Sequence, residues 1–140
     1  MCAALAASAA HAEDSRFVGR WHWNQAQSTL PSGAAAPKDV VTAISQADGG
    51  AVSWVVTIVT PDDQQHVMTF TAGGDAQPVA SDTTASARLN GDTLQATFSG
   101  YAGQSDTLTC TVSANHTQMT CSGVLTDGHG HSVDYADVEC

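Results

Sequence analysis

Residues 104–126 read QSDTLTCTVSANHTQMTCSGVLT, and the fold turns on how this stretch is read. Leu108, Cys110 and Val112 alternate with threonines, and Met119, Cys121 and Leu125 fall on one side of a second run. A period of two sends alternate side chains to opposite faces of a strand. A tight turn at Asn115-His116 then sets Cys110 against Cys121, Val112 against Met119 and Leu108 against Gly123. One register brings every apolar side chain to one face and the two sulfurs opposite each other. A non-hydrogen-bonded antiparallel pair has Cα atoms about 4.5 Å apart, within disulfide reach. A Cys110–Cys121 bridge is therefore expected, contributing about 2–3 kcal/mol at most because the loop it closes is short.

The same alternation runs outward in both directions. No stretch after residue 15 sustains a helical period; Val, Ile, Thr, Phe and Trp come in short alternating runs separated by Gly, Asn and Asp. These runs predict ten strands, at 17–24, 39–47, 51–60, 64–72, 77–82, 84–90, 92–99, 104–113, 117–126 and 132–139. The connectors are turn-like: Asp48-Gly49-Gly50, Pro61-Asp62-Asp63, Gly73-Gly74-Asp75, Asn90-Gly91-Asp92, Gly100 to Gly103, and Asp127 to Gly130. Asn-Gly between alternating runs is the strongest hairpin signal among them. Only Gln25 to Lys38 is longer, and it is placed to cover one end of the fold. A long meander avoids exposed edges by closing on itself. The expectation is an all-β, single antiparallel up-and-down β-barrel of about ten strands, with a two-sheet sandwich as the alternative. Val52, Trp54, Val56, Ile58, Met68, Phe70, Leu94, Ala96 and Phe98 share the inward face, and Ser53, Thr57, Thr69, Thr71 and Gln95 point to water.

Composition narrows the function classes. The chain has 140 residues and a formal charge of −10. Arg16, Arg20, Lys38 and Arg88 are too few and scattered to neutralise a phosphate backbone, so nucleic acid and anionic membranes are poor partners. Met1 to Ala12, MCAALAASAAHA, is an uncharged Ala-rich run ending in Ala10-His11-Ala12, followed by Glu13-Asp14-Ser15. Small residues at the first and third positions of that triplet suit signal peptidase. Residues 1–12 are expected to be the remnant of a secretory signal peptide, leaving 13–140 as a periplasmic or secreted domain. The run is too short for membrane insertion. Removing Cys2 leaves Cys110, Cys121 and Cys140, an odd number in an oxidising compartment. Cys140 is then a free thiol or the link of a dimer of an otherwise monomeric protein, unless it pins the C-terminus to another strand.

Phe17-Val18-Gly19-Arg20-Trp21 opens the first strand and is followed by Asn24, Ser28 and Pro31. Gly-x-Trp at this place resembles the first-strand motif of lipocalins and the wider calycin group, fatty-acid-binding-protein-like barrels included. The longer pattern, with the late hairpin Thr111-Val112-Ser113-x-Asn115 to Thr120, resembles small exported bacterial lipocalin-like proteins. In lipocalins the Trp plugs the barrel base against an Arg or Lys from near the last strand; here Ser132 to Cys140 contains neither. The resemblance implies a barrel that holds a ligand non-covalently.

Chemistry is thinly signalled. No Gly-x-Ser-x-Gly elbow, His-Glu-x-x-His helix or Gly-rich phosphate loop is present. His129-Gly130-His131, between Asp127 and Asp134, has donors a transition metal accepts, but a Gly-rich turn explains it as well, and no metal or cofactor is expected. Asp62-Asp63 reads as a solvated turn, and Asn115-His116-Thr117 as a hairpin tip rather than a glycosylation acceptor. The inward set is the candidate site: Trp21, Trp54, Met68, Phe70, Phe98, Met119 and Tyr135, with His66 at the rim. Ala87, Ala96 and Gly123 leave space among them, and a small barrel is either filled by side chains or hollow enough for one ligand. The leading expectation is a binding module for a small apolar or amphipathic molecule, not an enzyme. A filled barrel would point to a protein-interaction module such as an inhibitor of a secreted enzyme or an envelope accessory protein, acting through Gln25 to Lys38. A barrel enzyme would need a buried ionisable group, for which His66 is the nominee.

Overall fold

The computed structural model describes residues 16–30, 35–80, 82–100 and 103–140. The Met1–Ala12 segment, Pro31 and Gly33 of the long connector, and part of the Gly100–Gly103 turn lie outside the described residues.

Ten antiparallel strands form two sheets. The first holds β1 (Gly19–His22), β2 (Asp39–Ala47), β3 (Ala51–Val59) and β4 (Gln65–Gly73), in that order. The second runs β10-β9-β8-β7-β6-β5: β10 (Ser132–Glu139), β9 (Met119–Thr126), β8 (Ser105–Val112), β7 (Thr93–Ser99), β6 (Thr83–Asn90) and β5 (Gln77–Ala80). Every ladder joins neighbours in sequence, which is the meander the short turns require. A 3-10 turn at Gln25–Gln27 is the other regular element among the described residues, capped by the Asn24 side chain accepting from the Gln27 N–H.

The two sheets wrap into one antiparallel β-barrel. At one seam the end of β1 and the stretch after it hydrogen-bond along β10 and Cys140 beyond it. The His22 N–H donates to the Cys140 carbonyl (2.7 Å), and the Cys140 N–H returns a bond to the His22 carbonyl (2.8 Å). Asn24 donates to Val138 (2.8 Å), and Thr29 and Ala136 exchange bonds in both directions. At the other seam the Leu89 N–H of β6 donates to the Asp48 carbonyl in the β2–β3 turn. Pairing of this kind removes the exposed edge of β10.

The Cys110–Cys121 disulfide is present, in the register read from residues 104–126: Cys110 opposite Cys121, Val112 opposite Met119 and Leu108 opposite Gly123. The connecting turn is longer than two residues. It spans Ser113 to Gln118, with the Ser113 hydroxyl oxygen accepting from the Thr117 and Gln118 N–H groups. Cys140 is also disulfide-bonded, and no cysteine among the described residues is free. The expected free terminal thiol is therefore corrected, and the alternative of a C-terminus tied down through Cys140 takes its place. The reason lies in the backbone: two hydrogen bonds to His22 build Cys140 into the barrel wall instead of leaving it on a loose tail.

The packed part of the interior combines Phe17, Trp21, Ala47, Val52, Ala72, Ala85, Ala87 and Val112, all buried. Small alanines on β4 and β6 let the sheets approach here. The Trp21 indole N–H is satisfied by the Phe17 carbonyl at 2.8 Å, as a buried donor must be. No helix among the described residues is long and apolar enough to cross a membrane.

Candidate functional site

Above the alanine-rich packing the barrel is hollow. A cavity of about 450 Å³ runs between the two sheets, within the range of small-molecule pockets. The first sheet supplies an apolar wall: Val40 and Ile44 from β2, Trp54, Val56 and Ile58 from β3, and Met68 and Phe70 from β4. Alternation on β3 and β4 puts these side chains on one face, as the sequence indicated. Trp54 stacks on Phe70 with ring centroids 5.0 Å apart, and Phe98 of β7 meets both rings edge-on at 6.0 and 5.6 Å. Offset and edge-on geometries of this sort are the favourable ones for aromatic groups. The three rings pack into one aromatic cluster on this wall.

The opposite wall is different. Leu94, Ala96, Leu108, Met119 and the disulfide sulfurs carry the apolar surface across, but β8 and β10 add Asp106, Tyr135, Asp137 and Glu139. Each acid accepts one neutral donor. The Tyr135 hydroxyl donates to Asp106 Oδ1 at 2.5 Å, the Trp23 indole N–H to Asp137 Oδ1 at 3.2 Å, and the Thr42 hydroxyl to Glu139 Oε1 at 3.1 Å. Burial opposes charge on all three acids. Asp106 and Asp137 are raised by desolvation, partly offset by their donors, and Asp137 also by the nearby Asp106. Glu139, only 7% exposed, is pushed up to about 7, first by burial, with the Thr42 bond opposing and Asp137 adding to it. The Tyr135 phenol is raised by desolvation and by its carboxylate partner.

Met68 and Leu125 line the cavity and are also 39% and 41% exposed, which sets its mouth at the barrel end bearing the Thr60–Gln64 and Asp127–His131 turns. Leu30 and Pro37 reach the cavity from the two described ends of the long connector.

Of the residues nominated from sequence, Trp54, Met68, Phe70, Phe98, Met119 and Tyr135 come together in this wall. Trp21 does not; it lies in the packed core, and Trp23, two residues on, takes the wall position. His66 is exposed at the start of β4, outside the wall. The Asp127–His131 turn is organised by Asp127, whose Oδ1 accepts from the His129 and His131 N–H groups. Among the described residues no three metal-ligating side chains converge. The acids were missed, although the parity that turns Tyr135 inward also turns Asp137 and Glu139 inward.

No protein-family model matches the chain, and no curated protein matches it in sequence. Solved structures do resemble it. A point mutant of the fluorescent protein UnaG superposes with a TM-score of 0.59 at 18% identity, covering 88% of this chain and 94% of that one. Wild-type UnaG gives 0.56 at 19% identity, over 88% and 96%. Zebrafish ileal bile acid-binding protein, solved with cholic acid, gives 0.51 at 14% identity, over 89% and 98%. At these identities the likeness is one of fold: this chain shares with them an antiparallel β-barrel fold.

Proposed function

We propose that this chain is an exported, non-catalytic binding protein that holds one small apolar or amphipathic molecule inside its barrel. The observation that carries the reading is the cavity of about 450 Å³, faced by the Trp54–Phe70–Phe98 cluster and open past Met68 and Leu125. An apolar pocket with a few polar groups is the usual form of a ligand site, since apolar area supplies affinity and sparse polar groups supply orientation. That one structural neighbour was solved with cholic acid adds support by analogy of fold. Export is supported by the Ala-rich start and by the Cys110–Cys121 disulfide, which persists in oxidising compartments.

Native mass spectrometry of protein purified from its producing cells is the test. The expected result is a small-molecule adduct lost on denaturation, or saturable uptake of Nile red by adduct-free protein, in material recovered outside the cytoplasm. Protein that carries no adduct and takes up no hydrophobic dye would overturn the reading.

A further inference from the structure

We propose that the ligand is a cationic amphiphile: a protonated amine on an apolar body, its ammonium group seated against the acidic wall formed by Asp106, Asp137 and Glu139. This deepens the binding-protein reading and rests on it.

Charge balance inside the barrel carries the argument. Three carboxylic acids line the cavity, and none of the four basic residues does; Arg16, Arg20, Lys38 and Arg88 are all exposed. The ion pairs among the described residues, His22–Asp39, Lys38–Asp63 and His131–Asp127, lie on the outside and use other carboxylates. Each lining acid has one oxygen engaged by a neutral donor: the Tyr135 hydroxyl, the Trp23 indole or the Thr42 hydroxyl. Among the described residues no donor meets the second oxygen of any of them. Glu139 is the sharpest case, more than nine-tenths buried and still part of the cavity wall.

A buried carboxylate is stable when it is paired and hydrogen-bonded, and costly otherwise. The raised pKa values of the three acids express the same imbalance, since no basic side chain among the described residues supplies a compensating charge. An ammonium group carries three donors and the missing charge, and its bonds to carboxylate are stronger than neutral ones. The opposing wall of Trp54, Val56, Phe70 and Phe98 takes the apolar body. An anionic amphiphile fits the apolar wall equally but meets like charge, which disfavours it.

Decylamine, decanol and decanoate share a tail and differ in head group, so competition of the three for Nile red in the whole protein separates the terms. Decylamine is expected to bind about tenfold tighter than decanol or more, with decanoate weakest. In Asp137→Asn and Glu139→Gln, each checked for native circular dichroism, the amine-to-alcohol preference should shrink toward one. Decanol or decanoate binding as well as decylamine would overturn the cationic assignment and leave the cavity reading intact. Failure of all three to compete, with no dye uptake, would overturn both.

Discussion

The phenol ring of Tyr135 occupies the space in which a side chain on Gly123 would stand. The two residues pair across β9 and β10, and a Cβ on Gly123 would lie 2.1 Å from Cζ of Tyr135 and 2.4 Å from Cε1. Glycine here is a requirement of packing, not of backbone conformation. The ring, laid across its neighbour, points its hydroxyl at Asp106 in the cavity wall.

Gly123→Ala is therefore expected to displace the ring and break the Tyr135–Asp106 bond. Overpacking of a fitted site costs about 1–3 kcal/mol, and an orphaned buried acceptor adds to that. Urea denaturation should show a loss of about 2–3 kcal/mol. Because both changes act through one contact, Gly123→Ala combined with Tyr135→Ala should cost less than the sum of the single variants. Strict additivity would show that the ring and the glycine are independent.

Much of this architecture was legible from local pattern, and the exceptions share a cause. Strand positions, the inward set on β3, β4 and β7 and the disulfide register follow from a period of two and from turn chemistry, both properties of neighbouring residues. Period two gives the face of a strand, however, and not the height along the barrel. Trp21 and His66 carry the right parity but stand below and above the cavity, whereas Trp23 stands at its level. Asp137 and Glu139 were hidden by a sound prior, that carboxylates belong in water. Only the fold shows them enclosed. Cys140 depended on pairing with His22, more than a hundred residues away, which no local pattern signals.

Glu139 gives stability a pH dependence opposite to that of an ion-paired acid. The unfolded chain releases this proton near 4.5 and the native state near 7. Below 4.5 both states hold the proton and the group carries no penalty. Between those values the native state binds more protons, so stability falls as pH rises, and the loss is complete above about 7. Its size is at most about 3 kcal/mol. Desolvation of Asp106 and Asp137 acts in the same sense, whereas Asp48, Asp62 and Asp127, lowered by hydrogen bonds in turns, act in the other. The difference between wild type and Glu139→Gln isolates the single group. The variant should match wild type near pH 4 and exceed it by about 1–3 kcal/mol near pH 8. A pH-independent offset would show that Glu139 ionises as freely in the barrel as in water.

Removal of the disulfide in Cys110→Ala combined with Cys121→Ala frees a loop whose ends are 11 residues apart in sequence. The entropic contribution of so short a loop is about 2–3 kcal/mol, and two sulfurs are lost from the cavity wall as well. A drop of this order in the free energy of unfolding is expected, with β8 and β9 still paired. Their full ladder from Ser105↔Thr126 to Val112↔Met119 is held by backbone bonds independent of the bridge. Retention of the native circular dichroism spectrum at low urea checks the second point.

Ala96 gives a direct test of the hollow interior. It is 5% exposed, lies on the cavity face of β7 between Leu94 and Phe98, and pairs with Ala87 and Leu108 on the flanking strands. Ala96→Phe should project a ring into empty space. If the cavity is the binding site, the ring displaces ligand and lowers Nile red affinity by about tenfold or more. In a packed barrel the same substitution costs about 1–3 kcal/mol of stability; here new apolar contacts should offset part of that, leaving the midpoint of urea unfolding nearly unchanged. The paired measurement separates the two cases: binding lost with stability kept marks a cavity used by ligand, and stability lost with dye binding intact places the dye elsewhere on the protein.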